Sequence, residues 1–241
     1  MFILAVDTST PFSSVVILED TIVRVQLSQS VRTSHSDCLM SAIESGLEFA
    51  GIDLKNLDHL VICRGPGSFS GLRIGIAAMN GLAMALNLPL SSFVNLDLMA
   101  LQFACWKGTV CPVVDARKGQ LYWALYATDG FGGWEKIRDY AGDGPETIVQ
   151  QVDTAETLIV GPGLDNYRPS MISAAGERLN LLGMPQGMMN LGLVSQLPGI
   201  YDQDVQDDAT HVPVLPLYIR PSDAEINLAK RLAGQKKHSK K

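Results

Sequence analysis

Ten residues, Arg64-Gly65-Pro66-Gly67-Ser68-Phe69-Ser70-Gly71-Leu72-Arg73, constrain the fold of this chain more than any other stretch. They lie between a β-branched run, Leu60-Val61-Ile62-Cys63, and a long apolar segment that ends at Leu86. This order predicts a strand that enters a glycine-rich turn and leaves it as a helix. Glycine lets backbone N–H groups approach a ligand, and a helix N-terminus adds partial positive charge, so the local architecture is that of an anion-binding loop. The common phosphate loops do not fit it. A dinucleotide fingerprint needs glycine at Ser70, and a Walker loop needs glycine at Leu72 followed by lysine. A nucleophile elbow fails as well, because Ser70 has Ser68 and Leu72 where glycines belong.

A chain of 241 residues can bury a sizeable core, as one large domain or two small lobes. Its 46% hydrophobic and 18% charged residues describe an ordered globular protein. Arg73, Asn80 and Asn87 interrupt the longest apolar run short of the ~20 residues a membrane helix needs, so no membrane contact is expected. Met1–Val6 runs into Asp7 without a cationic lead, which reads as a buried strand rather than a signal peptide. Cys38, Cys63, Cys105 and Cys111 form no C-x-x-C pair, and three sit in apolar surroundings, as buried thiols of a reducing cytoplasm would. Six of the 19 basic residues, and none of the 25 acidic ones, lie beyond Ala229. The body therefore holds 13 basic against 25 acidic residues, a formal charge of −12. A body so acidic does not hold a nucleic-acid backbone by itself.

The hydrophobic pattern predicts a duplicated α/β architecture. Phe2–Val6, Ser14–Leu18 and Ile22–Leu27 read as strands, with a turn at Glu19-Asp20. Ser34 is expected to cap a helix bearing Leu39, Met40, Ile43 and Leu47 and stopped by Gly51. Leu60–Cys63 is a fourth strand and Leu90–Val94 a fifth, on either side of the glycine loop and its helix. The pattern then recurs: Val110–Asp115 ends in aspartate as the first strand does, Gln120–Tyr126 follows as a hairpin partner, and a polar connection leads to Thr157–Val160 and a second Gly-Pro-Gly at 161–163. A β-β-β-α-β-α unit present twice is the arrangement of the actin-like ATPase (RNase H-like) superfamily, in which two lobes of mixed sheet flanked by helices face each other. The expected division is 1–105 for the first lobe, 106–225 for a shortened second lobe, and 226–241 for a basic, flexible tail. Ser170–Gln206 reads only as helix and loop.

In that superfamily the aspartate ending the first strand orients metal-bound phosphate. Asp7 and Thr8, Gly65 and Gly67, and Asp115 with Arg117 are accordingly the candidate nucleotide-binding residues. The alternative is that Asp7-Thr8-Ser9-Thr10 is a strand end capped by its own side chains. Arg117 and Lys118 stand where close approach to a nucleotide needs glycine, although either could pair with phosphate. The histidines, His35, His59, His211 and His238, offer no i, i+3 or i, i+4 pair, so no metal site is expected. Between Leu72 and Leu86 only Arg73 is charged and only Asn80 carries an uncharged polar group. Such a helix is either a central core helix or one completed by a partner subunit.

Ile3–Thr10, Arg64–Gly75, Val114–Trp123 and Pro216–Arg220, in this order, resemble the bacterial TsaB (YeaZ) family. The resemblance implies a non-catalytic subunit of the machinery that installs threonylcarbamoyladenosine beside the anticodon of ANN-decoding tRNAs. It implies a catalytic paralogue, TsaD, and an ATPase, TsaE, as partners, a homodimer when TsaD is absent, contact with tRNA only through the complex, and no cofactor of its own beyond ATP or ADP at the partner junction. Counted from Pro89, the metal-binding histidines of TsaD fall here on Asn95 and Met99, poor ligands for a catalytic metal. The family's partner face is its first two helices. This makes Leu39, Met40, Ile43, Leu47, Arg73, Ile74, Gly75, Ala78, Met79 and Leu82 the candidate interface. The competing readings are an active actin-like phosphotransferase, with ATP at Asp7 and Asp115, and a metallopeptidase.

Overall fold

A computed structural model describes residues 1–30, 35–176, 179–183, 189–200 and 212–220. The expected Ser34 cap and the basic tail lie outside the described residues. Two five-stranded sheets are built alike. The first contains β1 (Phe2–Asp7), β2 (Phe12–Glu19), β3 (Ile22–Ser30), β4 (His59–Cys63) and β5 (Leu90–Phe93), ordered β3-β2-β1-β4-β5. The second contains β6 (Lys107–Arg117), β7 (Gln120–Asp129), β8 (Trp134–Asp143), β9 (Thr157–Gly161) and β10 (Asn180–Gly183), ordered β10-β9-β6-β7-β8. In each sheet the first strand pairs antiparallel with the second and parallel with the fourth, and the fourth pairs parallel with the fifth. This is the duplicated actin-like arrangement.

Among the described residues, five α-helices accompany the sheets: α1 (His35–Ala50), α2 (Phe69–Leu86), α3 (Asn95–Gln102), α4 (Pro145–Gln151) and α5 (Leu164–Ala175). Successive side chains of a strand face opposite ways, so β1 feeds two cores. Leu4 and Val6 pack with Leu39, Ile43 and Leu47 of α1 and Leu72, Ile76 and Met79 of α2. Ile3 and Ala5 face a core shared by both sheets, in which α3 and a 3-10 helix at Leu191–Gln196 are wedged. α4 and α5 cover the outer face of the second sheet over Cys111, Trp123 and Ile159.

Four elements depart from expectation. The polar connection after β7 contains a full strand, β8, and the helix α4. The 170–206 region holds β10, which completes the second sheet, and α3 follows β5. A further correction concerns the thiols: Cys63 and Cys111 are buried, but Cys105 is exposed.

Candidate functional site

The ends of β1 and β6 meet two glycine loops in the same way. After β1, the Ser9 carbonyl accepts a hydrogen bond from Ser68 N at 2.7 Å, and a Cβ on Gly67 would lie 2.0 Å from that oxygen. In the second lobe a Cβ on Gly161, whose φ is +133°, would lie 2.3 Å from the Val113 carbonyl of β6. Both Gly-Pro-Gly turns are therefore glycine-rich so that backbone can press on backbone, a packing requirement that needs no ligand.

Between the lobes these loops wall a cleft of about 840 Å³. One side presents Ser9, Thr10, Gly67, Ser68 and the start of α2; the other presents Val114–Arg117, Tyr122, Pro162 and Asn166. The extended segment 212–218 closes the rim. Leu217 N donates to the Arg64 carbonyl at 2.7 Å, and the Asn80 side-chain amide both donates to and accepts from the backbone of Val214. Asn80 thus anchors a strap across α2, a role its isolation in an apolar helix did not disclose. Arg73, nearer the start of the same helix, donates from Nε to the Tyr218 hydroxyl at 3.0 Å and lies 3.8 Å from the centre of the Phe69 ring.

The candidate nucleotide residues divide. Gly67, Asp115 and Arg117 line the cleft, whereas Asp7, Thr8 and Gly65 are buried behind it. Asp7 is 1% exposed and its Oδ1 accepts from Ser9 N, while Thr8 donates to the Gly71 carbonyl. Asn95, fully buried, donates from Nδ2 to both Ser9 Oγ and the Pro66 carbonyl, and so stitches the β1 turn to the glycine loop. Among the described residues its Oδ1 has no partner. The self-capped alternative describes Asp7 and Thr8 better than phosphate binding does. Asp115 remains at the surface, accepting from Arg117 N, Asn166 Nδ2 and Tyr167 OH. Arg117 and Lys118 both adopt left-handed backbone, φ 64° and 55°, the conformation in which glycine is the ordinary residue.

The candidate interface divides as well. Leu39, Ile43, Leu47 and Met79 are sealed in the first lobe's own core and present no side chain to a partner. Gly75 faces inward, where a Cβ would meet Thr8 Oγ1 at 2.2 Å; it serves the packing of α2 on β1. Met40 and Arg73 are exposed, and Ile74, Ala78 and Leu82 are half-buried. The outward stripe of α2 is instead Arg73, Ala77, Gly81 and Met84, with Met84 69% exposed, and Phe49 of α1 is exposed to the same degree. The mean hydropathy of α2 is 1.3, which by length and composition alone would suit a membrane, and a third of the helix is buried in the fold.

A family model described as "TsaD: tRNA N6-adenosine threonylcarbamoyltransferase" matches residues 24–149, just over half of the chain. The tRNA threonylcarbamoyladenosine biosynthesis protein TsaB of Escherichia coli is 33% identical over 169 residues, 68% of this chain and 72% of that protein. The chain belongs to the TsaB (YeaZ) family. TsaB of Bacillus subtilis is likewise 33% identical, over 126 residues, and this chain spans about half (55%) of its length. Among solved structures, a Pseudomonas aeruginosa protein described as similar to peptidase YEAZ superposes with a TM-score of 0.74 at 25% identity, covering 91% of this chain and 99% of that one. YeaZ from Pseudomonas aeruginosa itself gives 0.62 at 26% identity, covering 76% and 84%.

Proposed function

We propose that this TsaB-family chain serves tRNA threonylcarbamoyladenosine biosynthesis as a non-catalytic scaffold that dimerises through α1 and α2 with a TsaD-like catalytic paralogue. The observations that carry the reading are the outward stripe Ala77, Gly81 and Met84 of α2 and the exposed Met40 and Phe49 of α1: small residues allow close helix approach, and large apolar ones are left in water. Asp7, sealed behind Ser9, supports a scaffold over a phosphotransferase, because a buried and capped carboxylate cannot reach a metal-bound phosphate. On this reading the chain works in the cytoplasm, forms a homodimer by the same stripe when the paralogue is absent, joins a TsaE-like ATPase only through the complex, and meets ANN-decoding tRNA only indirectly. Any ATP or ADP at the partner junction would belong to the assembly.

Gly81→Glu tests the interface. Nothing lies within 4 Å of a Cβ built there, so the variant folds, but a carboxylate is placed in the middle of the stripe. Sedimentation of the chain mixed with the TsaD-like protein of the same cell should give a complex for wild type and separate species for the variant. A folded Gly81→Glu chain that still assembles removes the stripe from the interface.

A further inference from the structure

Taking the scaffold reading as given, we infer that the docking face has a third component beyond α1 and α2: the strap 212–218, which walls one side of the α2 stripe and presents Leu215 to the TsaD-like paralogue. Each residue of an α-helix turns the wheel by about 100°. Phe69, Asn80 and Arg73 therefore fall within about 40° of one another on one flank of α2. Ile74, Ala78 and Leu82 lie on the opposite flank, and Ala77, Gly81 and Met84 face outward between the two. All three residues of the first flank hold the strap. Asn80 pairs its amide with both backbone groups of Val214, Arg73 donates to the Tyr218 hydroxyl, and the Phe69 and Tyr218 rings pack with centres 5.4 Å apart. Val214 is thus fixed at Asn80 and Tyr218 at Arg73, about 10 Å nearer the start of the helix. The strap runs antiparallel to α2, beside the stripe, for two turns.

Val214 packs on the first lobe's core, and the next side chain, Leu215, is left 67% exposed between the levels of Asn80 and Arg73. A lone exposed leucine is ordinary. This one stands on a fastened backbone beside a row of small residues, so Ala77 and Gly81 floor a trough and Leu215 is its wall. Continuity and charge identify the occupant. A helix that packs on Ala77 and Gly81 in the proposed interface meets Leu215 as well. Neither α2 nor 212–220 carries a carboxylate, in a chain with 25 acidic residues, and the exposed Arg73 stands at the end of the trough. The matching surface is a paralogue helix with small and apolar side chains toward the trough and a carboxylate toward Arg73.

Calorimetric titration of the full chain with the TsaD-like protein of the same cell tests this, with sedimentation of the chain alone beside it. Leu215→Glu and Arg73→Glu should each weaken the mixed complex by about tenfold or more, since each sets an unpaired carboxylate against the docked helix, with unchanged circular dichroism. Leu215→Met should bind as wild type. So should Phe131→Glu, which adds the same charge at a 94% exposed site on the β7–β8 turn. Wild-type affinity in either folded glutamate variant of the trough, or an equal loss in Phe131→Glu, would overturn the inference. Loss of self-association with mixed binding intact would overturn it too, by giving the trough to a second copy. If Gly81→Glu abolishes the complex and Leu215→Glu does not, the strap falls and the scaffold reading stands; if the wild-type chain does not bind the paralogue, both fall.

Discussion

Asn95 carries more of the local structure than its size suggests. Its amide supplies both N–H groups to acceptors on two different loops, Ser9 Oγ at 2.8 Å and the Pro66 carbonyl at 2.7 Å, in a site without solvent access. Removing the amide leaves two buried acceptors unpaired, and such groups cost about 1–3 kcal/mol each. Asn95→Ala is accordingly expected to lower unfolding free energy by about 2–4 kcal/mol in urea titrations. A loss well under that would mean the turn and the glycine loop are held by Ser68 N on Ser9 O alone. From the sequence Asn95 reads only as a poor metal ligand. Its stitching role depends on three segments, 9, 66 and 95, that meet only in the folded chain. Gly75 is illegible for a similar reason: a small residue on an apolar helix permits close approach, but the pattern does not say whether the neighbour is a partner or Thr8 of the same lobe.

Among elements, the legible ones are those whose periodicity is set by burial on one or both faces. β1, β4 and β9 are buried along nearly their whole length and stand out as apolar runs. β8 does not, because Trp134–Asp143 is an edge strand with Glu135–Asp139 exposed, and the register of its pairing with β7 shifts twice, which destroys the alternation. α3 is short and buried on nearly all sides, so it has no polar face to mark it as a helix. β10 has only four residues, Asn180–Gly183, too few for a pattern. The β4–β5 pair has a pH-dependent contact. His59 Nε2 lies 2.8 Å from Ser91 Oγ, which itself donates to the Ile200 carbonyl, so the imidazole is the donor to Ser91. Burial pushes the His59 pKa below its ordinary 6.5. Well above pH 6.5 the ring is neutral in both states and its contribution is complete. As pH falls from 6.5 toward the folded value, the unfolded chain takes up the proton first and stability is lost. Urea midpoints at pH 7, 6 and 5 should fall for wild type and fall less for His59→Gln; equal slopes would show that this ring does not titrate with folding.

At the scale of the whole molecule, the two lobes are joined by a core rather than by a hinge alone. Ile3, Ala5, Val61 and Phe93 of the first sheet and Val110, Tyr126 and Val160 of the second belong to one buried cluster, with α3 and the 191–196 helix between them. Within this junction the Asp97 carboxylate of α3 accepts from Tyr126 OH at 2.5 Å and Tyr140 OH at 2.7 Å, both from the second sheet. Burial first, and the Asp97 carboxylate with it, drive both phenol pKa values far upward, so the tyrosines stay protonated donors and the contact is unaffected by pH in the neutral range. Hydrogen bonds to a charged acceptor contribute about 1.5–3 kcal/mol each. Donating to the two oxygens of one carboxylate, the tyrosines are coupled, and the second removal costs more than the first because it leaves the carboxylate with neither phenol. Tyr126→Phe and Tyr140→Phe should each destabilise the chain, and the double variant should do so by more than their sum in a double-mutant cycle. Calorimetry of the wild type should give a single transition, since a shared core couples the melting of both sheets. Two resolved transitions, or strictly additive tyrosine effects, would mean that the lobes open independently and that the cleft between them is free to close.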